Sequence, residues 1–227
     1  MSTSFPPKLP NDLDPARVAK GLFFCLEGPD GAGKSTQAAR LAETLQRLGL
    51  GVVSCRDPGG TRLGDRLRSL LLDRASVPMS MRAEMLLYMA SRAQMVEQVI
   101  RPALEAGRVV VSDRYLLSNV VYQGYAGGLE VEELWSVGQA ATGGVMPDLT
   151  LLIDVPEAVA RSRTGGPRDR IEDRGEDYRT LVRNGFLEAA RSYPAPIVVI
   201  DGAKAPDEVA HRIEGEVLRV LGIGPRS

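Results

Sequence analysis

Five short apolar runs punctuate the chain: LFFCLE (22–27), GVVSC (51–55), RVVVSD (108–113), DLTLLIDV (148–155) and APIVVID (195–201). The first has no polar alternation at all, as expected of a central strand covered on both faces. Between the runs, apolar residues return at helical spacing. A helix is expected from Lys34 to about Leu48, stopped by Gly49, and another where Leu63, Leu67, Leu70 and Leu71 recur. The longest helical stretch runs from Met81 to Ala106, with Pro102 expected to kink or break it. Residues 115–142 read as one or two helices around a Gly124–Gly128 turn, and further helices are expected at 156–163, 177–192 and 205–221. This alternation predicts an α/β fold, a parallel sheet of five strands flanked by helices. There is no internal repeat and no linker, so residues 21–227 read as one domain. The first twenty residues carry four prolines and no apolar core, and read as a flexible N-terminal extension.

Composition changes this picture little. A net charge of −1 over 227 residues argues against a general nucleic-acid or membrane-surface partner. No apolar stretch approaches the ~18 residues that span a bilayer, so a cytoplasmic location is expected. Cys25 and Cys55 sit inside apolar runs, read as buried free thiols, and have no metal-ligand spacing.

The chemistry is concentrated after the first run. Gly28-Pro29-Asp30-Gly31-Ala32-Gly33-Lys34-Ser35 is a complete G-x-x-x-x-G-K-[ST], with a buried strand before it and an amphipathic helix after it. Glycines let the backbone curl so that successive N–H groups face phosphate oxygens, and the helix dipole aims at the same place. Gly28 to Thr36 is therefore the expected ATP-binding segment. Lys34 would bridge the β- and γ-phosphates, and the Ser35 hydroxyl would ligate Mg²⁺. Asp113, closing RVVVSD, is the expected second Mg²⁺ partner; a helix N-cap is its other reading. No N-K-x-D guanine-reading motif occurs, and a small chain with an arginine-rich segment far downstream fits a nucleotide kinase better than a switch GTPase.

An acceptor side is also visible. In an extended segment Asp113 and Arg114 would point to opposite sides, one toward the metal and one toward a second anion. Tyr88 and Arg92 are four apart on one helix face, a ring and a guanidinium suited to stack on a base and bond its edge. Asn119 and Tyr122 are three apart and form a second polar–aromatic pair.

With these residues in place the sequence resembles the bacterial thymidylate kinase family, over about residues 22–222. The matching segments are LEGPDGAGKST (26–36), DPGGT (57–61), LRSLLL (67–72), YMASR ending at Arg92, SDRY (112–115), PDLTLLIDV (147–155) and DRIE (169–172). The resemblance implies that Asp30 meets the acceptor 3′-hydroxyl, Tyr88 stacks on thymine and Arg92 donates to a pyrimidine carbonyl. It further implies that Asn119 contacts the base edge, Tyr122 closes on the sugar, and Arg114 holds the acceptor phosphate. It implies a homodimer and an arginine-rich lid, here residues 161–174 with Gly165, Gly166 and Pro167 as punctuation. The loop has Asp30 and Gly31 where the eukaryotic type places an arginine, so lid arginines, Arg163 or Arg168, are the expected catalytic cations beside Lys34 and Arg114. This chain has Asp57 where the family commonly has glutamate, and Gly165 where relatives can carry arginine.

The implied reaction takes a phosphoryl group from ATP to dTMP. A phosphate acceptor has a second pKa near ~6 and is already anionic, so no general base is required; the single histidine, His211, lies remote from every motif. The rival readings are a kinase of another monophosphate or of a deoxynucleoside, a P-loop regulatory ATPase, and a non-catalytic nucleotide binder.

Overall fold

The computed structural model describes residues 20–74, 78–163 and 170–223. Residues 1–19, which make up nearly all of the expected extension, lie outside this set, as do Gly165, Gly166, Pro167 and Arg168. Five strands, β1 (Leu22–Glu27), β2 (Val52–Arg56), β3 (Val109–Asp113), β4 (Leu149–Asp154) and β5 (Ile197–Asp201), form one parallel sheet in the order β2-β3-β1-β4-β5. The helices are α1 (Lys34–Arg47), α2 (Arg62–Leu72), α3 (Met81–Met95), α4 (Arg101–Glu105), α5 (Leu116–Asn119), α6 (Val131–Thr142), α7 (Glu157–Arg163), α8 (Glu176–Arg191) and α9 (Pro206–Val220).

β1 is central and buried along its whole length, and its side chains alternate between two cores. Phe24 and Leu26 point into one, filled by Leu41 and Leu45 of α1 and Val209, Ile213 and Val217 of α9. Phe23 and Cys25 point into the other, against Met85 and Met89 of α3, Leu116 of α5 and Leu134 of α6. Register pairs Leu26 with Asp113 and Asp113 with Arg56, so three strands end side by side at their carboxyl edge. In an open parallel sheet that edge is where ligands bind.

Three expectations need correction. The long helix is interrupted before Pro102: a π-helical segment, Val96–Ile100, follows α3, and Pro102 sits in the first turn of α4, where its missing N–H is not needed. Gly124 lies within a second π segment, Val120–Tyr125, and not in a turn; a Cβ there would stand 3.1 Å from Leu134 and 3.3 Å from Val131 of α6, so both would have to give by a few tenths of an ångström. Cys55 is half-buried, because β2 is an edge strand with alternating exposure. Burial still pushes its thiol up to about 12, so it stays protonated at neutral pH.

The second π segment is held from behind by α8. A Cβ on Gly185 would stand 2.7 Å from Cβ of Tyr125 and 3.2 Å from Val121. Gly185→Ala gains helix propensity of about 1 kcal/mol but forces α8 off that segment, an overpacking cost of about 1–3 kcal/mol. The expected outcome is a lower urea midpoint; an unchanged or raised midpoint would show that the contact yields without cost.

Candidate active site

β1 runs directly into the loop 28–33, where Gly28, Gly31 and Gly33 all have positive φ (138°, 78° and 89°). Two of these positions also admit no side chain: a Cβ on Gly28 would lie 2.3 Å from the Ile153 carbonyl oxygen, and one on Gly31 2.4 Å from that of Ala160. Gly33 is the N-cap of α1 and supplies no side-chain cap, so the first N–H groups of the helix face the loop. Lys34 is buried and donates to the Pro29 carbonyl at 2.8 Å. Ser35 Oγ donates to Asp113 Oδ2 at 2.5 Å, joining the loop to the end of β3.

Arg114 follows Asp113 in the left-handed region, φ 73°. Its Nη1 donates to the Gly28 carbonyl (3.0 Å) and to Ser118 Oγ (2.8 Å), and its Nη2 to Asp30 Oδ1 (2.5 Å) and Tyr122 Oη (3.2 Å). Tyr122 in turn donates to Asp30 Oδ2 at 2.8 Å. Burial opposes charge on Asp30, yet Arg114, Lys34 and the Tyr122 hydroxyl outweigh it and pull its pKa down to about 2. Burial pushes the Tyr122 hydroxyl well above the usual phenol range, so it remains a donor.

A second polar group lies on α3 and the segment after α5. Arg92 is 1% exposed and pairs with Asp57 through Nε (2.6 Å); its Nη1 donates to Asn119 Oδ1 (2.9 Å) and its Nη2 to the Tyr115 carbonyl (3.3 Å). Asp57 Oδ1 is buried without a hydrogen-bond partner. Between the two groups opens a cleft lined by Asp30, Tyr88, Arg92, Arg114, Asn119 and Tyr122 together with Arg56, Asp57, Arg68 and Gln123. Its four arginines outnumber its two aspartates, which suits an anion.

Residues 26–213 match the family model described as Thymidylate kinase. A Thymidylate kinase of Rhodopirellula baltica is 46% identical over 193 residues, covering 85% of this chain and 78% of its own length. One from Symbiobacterium thermophilum is 43% identical over 211 residues (90% and 99%), and one from a Synechococcus species 47% over 208 residues (90% and 100%). The chain belongs to the thymidylate kinase family.

In this thymidylate kinase fold, all six residues expected at the acceptor line one cleft. Ser35 and Asp113 meet, and Lys34 lies in the same charge cluster as Arg114, Asp30 and Asp113. One local expectation fails: Arg114 is not extended, and it parts from Asp113 through a left-handed backbone. Arg163 donates to the Gly202 carbonyl (2.8 Å) in the turn after β5, while Arg168 lies outside the described residues. The remaining arginines of 161–174 are committed elsewhere: Arg161 pairs with Glu157 and Glu176, and Arg170 and Arg174 with the fully buried Glu84.

Sequence reasoning missed Arg56, Arg68, Ser118, Gln123 and Glu84. Arg56 ends a strand, the same signal that singled out Asp113. Glu84 precedes Tyr88 by four residues and Arg92 by eight, so one helical stripe holds all three.

Burial and the neighbouring Arg114 lower the pKa of Lys34 to about 8, against the opposing pull of Asp30, Asp113 and Glu27. A triphosphate seated on the loop would add negative charge beside Nζ and raise that pKa. ATP binding at pH 8.5 is therefore expected to take up protons, and binding at pH 6.5 to take up none at Lys34. Calorimetry in buffers of different ionisation enthalpy measures this; equal uptake in Lys34→Gln at pH 8.5 would refute it.

Proposed function

We propose that the chain transfers the γ-phosphoryl group of ATP to dTMP, giving dTDP, as one domain over residues 21–227. The observation that carries this is Arg114, which bonds the donor loop at Gly28 and Asp30 while lining the acceptor cleft with Tyr88, Arg92, Asn119 and Tyr122. One guanidinium thus stands between a triphosphate loop and a cationic cleft that holds two tyrosines.

The roles follow from this placement. Backbone N–H groups of 28–36 and Lys34 hold the donor phosphates. Arg114 holds the acceptor phosphate, which is already anionic and needs no base. Tyr88 faces the base, Arg92 and Asn119 read its edge, and Asp30 and Tyr122 close on the sugar. Catalysis is then alignment of two polyanions and screening of their charge. Ser35 and Asp113 offer hard oxygen donors side by side, a fit for Mg²⁺, which would neutralise charge on the donor phosphates. In this reading the catalytic cations are Lys34, Arg114 and an arginine of 161–174, Arg163 or Arg168.

Leu63 and Leu70 on α2 and Leu86 on the neighbouring α3 are exposed, which supports a homodimer through these helices. Among the described residues no helix is long and apolar enough to cross a membrane, and we place the enzyme in the cytoplasm.

A coupled assay across nucleoside monophosphates tests the activity. Turnover is expected on dTMP, with dUMP clearly poorer and ATP hydrolysis slow without acceptor. Faster phosphorylation of GMP or thymidine, or full-rate hydrolysis with no acceptor, would overturn the assignment. Arg114→Ala is expected to lower kcat/KM for dTMP about 10³-fold. Tyr122→Ala is expected to narrow discrimination against the ribonucleotide; unchanged selectivity would remove its role at the sugar.

A further inference from the structure

Tyr122 is held at both ends. Its hydroxyl donates to Asp30 Oδ2 (2.8 Å) and accepts from Arg114 Nη2 (3.2 Å). Its backbone carbonyl accepts from the hydroxyl of Tyr178, on α8, at 2.6 Å. The π segment leads into this second bond. At its end the Ala126 N–H donates to the Val121 carbonyl and the Leu129 N–H to that of Gln123, and the carbonyl between them, that of Tyr122, turns to α8. A carbonyl in a buried segment needs a partner, and here a side chain supplies it.

Tyr178 is itself fixed from behind. Arg174 Nη1 donates to its hydroxyl oxygen (2.8 Å), the guanidinium lies 4.9 Å from its ring centroid, and Nη2 donates to the fully buried Glu84 (2.6 Å). Burial raises the pKa of Tyr178, so its hydroxyl keeps the proton that it offers to Tyr122. The rings of Tyr178 and Phe186, both on α8, meet the Tyr122 ring edge-on, with centroids 6.4 and 6.1 Å away.

The two ends of Tyr122 differ in what an acceptor does to them. On the proposed reading the sugar 3′-hydroxyl comes to Asp30 and the acceptor phosphate to Arg114. Both partners of the Tyr122 hydroxyl are then shared with substrate at the moment the sugar is read. The bond from Tyr178 is not, because Tyr178 stands behind Tyr122 and does not line the cleft. It is the hold that survives binding.

We infer that Tyr178 is a specificity-determining positioning residue: its hydroxyl fixes the Tyr122 backbone while the acceptor engages Asp30 and Arg114, and so keeps the Tyr122 ring where a ribonucleotide's 2′-hydroxyl would stand. This rests on the reading of Tyr122 as the residue that closes on the sugar of dTMP. A ring anchored only through groups that substrate also uses can yield to one extra oxygen. A ring whose backbone is locked by a second layer of hydrogen bonds holds its place and rejects that oxygen.

The test is Tyr178→Phe, which removes one oxygen and keeps the ring, its contact with Arg174 and its edge against Tyr122. Two ratios of kcat/KM are measured in wild type and variant. One is dTMP over ribothymidine 5′-phosphate, which differ only by the 2′-hydroxyl. The other is dTMP over dUMP, which differ only by the base methyl group. The first ratio is expected to fall about 5- to 10-fold, the worth of one hydrogen bond left unmade, with the second ratio and the ATP KM little changed. An unchanged first ratio would overturn the proposal. So would an equal fall in both ratios, which marks Tyr178 as general support for the cleft and not as a keeper of the sugar contact. A wild-type chain inactive on dTMP overturns the functional reading itself, and a wild type that accepts both sugars equally overturns the role of Tyr122. Wild-type discrimination with an unaltered variant overturns the inference about Tyr178 alone.

Discussion

Arg114 adopts φ 73°, a conformation that costs a residue with a Cβ about 1–2 kcal/mol, and the surroundings explain why it persists. Its amide N–H donates to the Leu26 carbonyl at 2.9 Å, extending the β1–β3 pairing one residue past the strand end. The left-handed turn then swings the side chain back over the loop, where both terminal nitrogens make two hydrogen bonds each. Without that guanidinium, Asp30 would lose its nearest counter-charge. Glu27, wholly buried at the end of β1, would lose the cation whose charge most favours its ionised form. Burial already raises the pKa of Glu27, and Arg114 is the first influence that lowers it. Removing one partner from such a group exposes the full desolvation cost of the other.

Glu27 extends the same constraint to the acceptor wall. Its carboxylate accepts from the backbone N–H groups of Tyr115 (2.9 Å) and Ser118 (3.2 Å) and from the Ser118 hydroxyl (2.5 Å). A strand residue thereby caps α5 from outside the helix, satisfying donors that the helix leaves open. Ser118 Oγ, having given its proton to Glu27, offers its lone pairs to Arg114. The donor loop, Arg114 and α5 are thus one hydrogen-bonded body, and a shift in any of them disturbs both halves of the cleft.

This explains what the sequence made legible. The phosphate loop, the five strands and the Tyr88–Arg92 pair depend on neighbours within a turn or two, and spacing alone reports such neighbours. Asp113 was legible because a strand's last residue has a predictable place at the sheet edge. The positive φ of Arg114 was not, since it follows from Glu27, Asp30 and Ser118 converging from separate segments. The π segment Val120–Tyr125 was hidden for a similar reason. Helical periodicity places Asn119, Tyr122 and Gln123 on one side of a regular helix, and only packing by α6 and α8 widens that turn. Glu84 read as one more charge on an amphipathic helix, because its partners Arg170 and Arg174 lie more than eighty residues away. Buried charge is the feature that residue patterns conceal most, since burial belongs to the fold.

The charge distribution gives Asp30 a purpose that the loop motif alone does not. A cation at this loop position would be drawn to the donor phosphates and leave Arg114 without its anchor. A carboxylate there does the reverse: it holds Arg114 at the boundary between loop and cleft before either phosphate arrives. If Arg114 holds the acceptor phosphate as proposed, the fixed geometry carries an entropic advantage, because the guanidinium is already oriented when that phosphate enters. The cost is one negative charge beside two incoming polyanions. Four arginines around the cleft, together with Lys34 beneath the loop, offset it. An aspartate at this point therefore exchanges some electrostatic attraction for alignment, which suits a transfer between two phosphates that are reactive once they are brought into line.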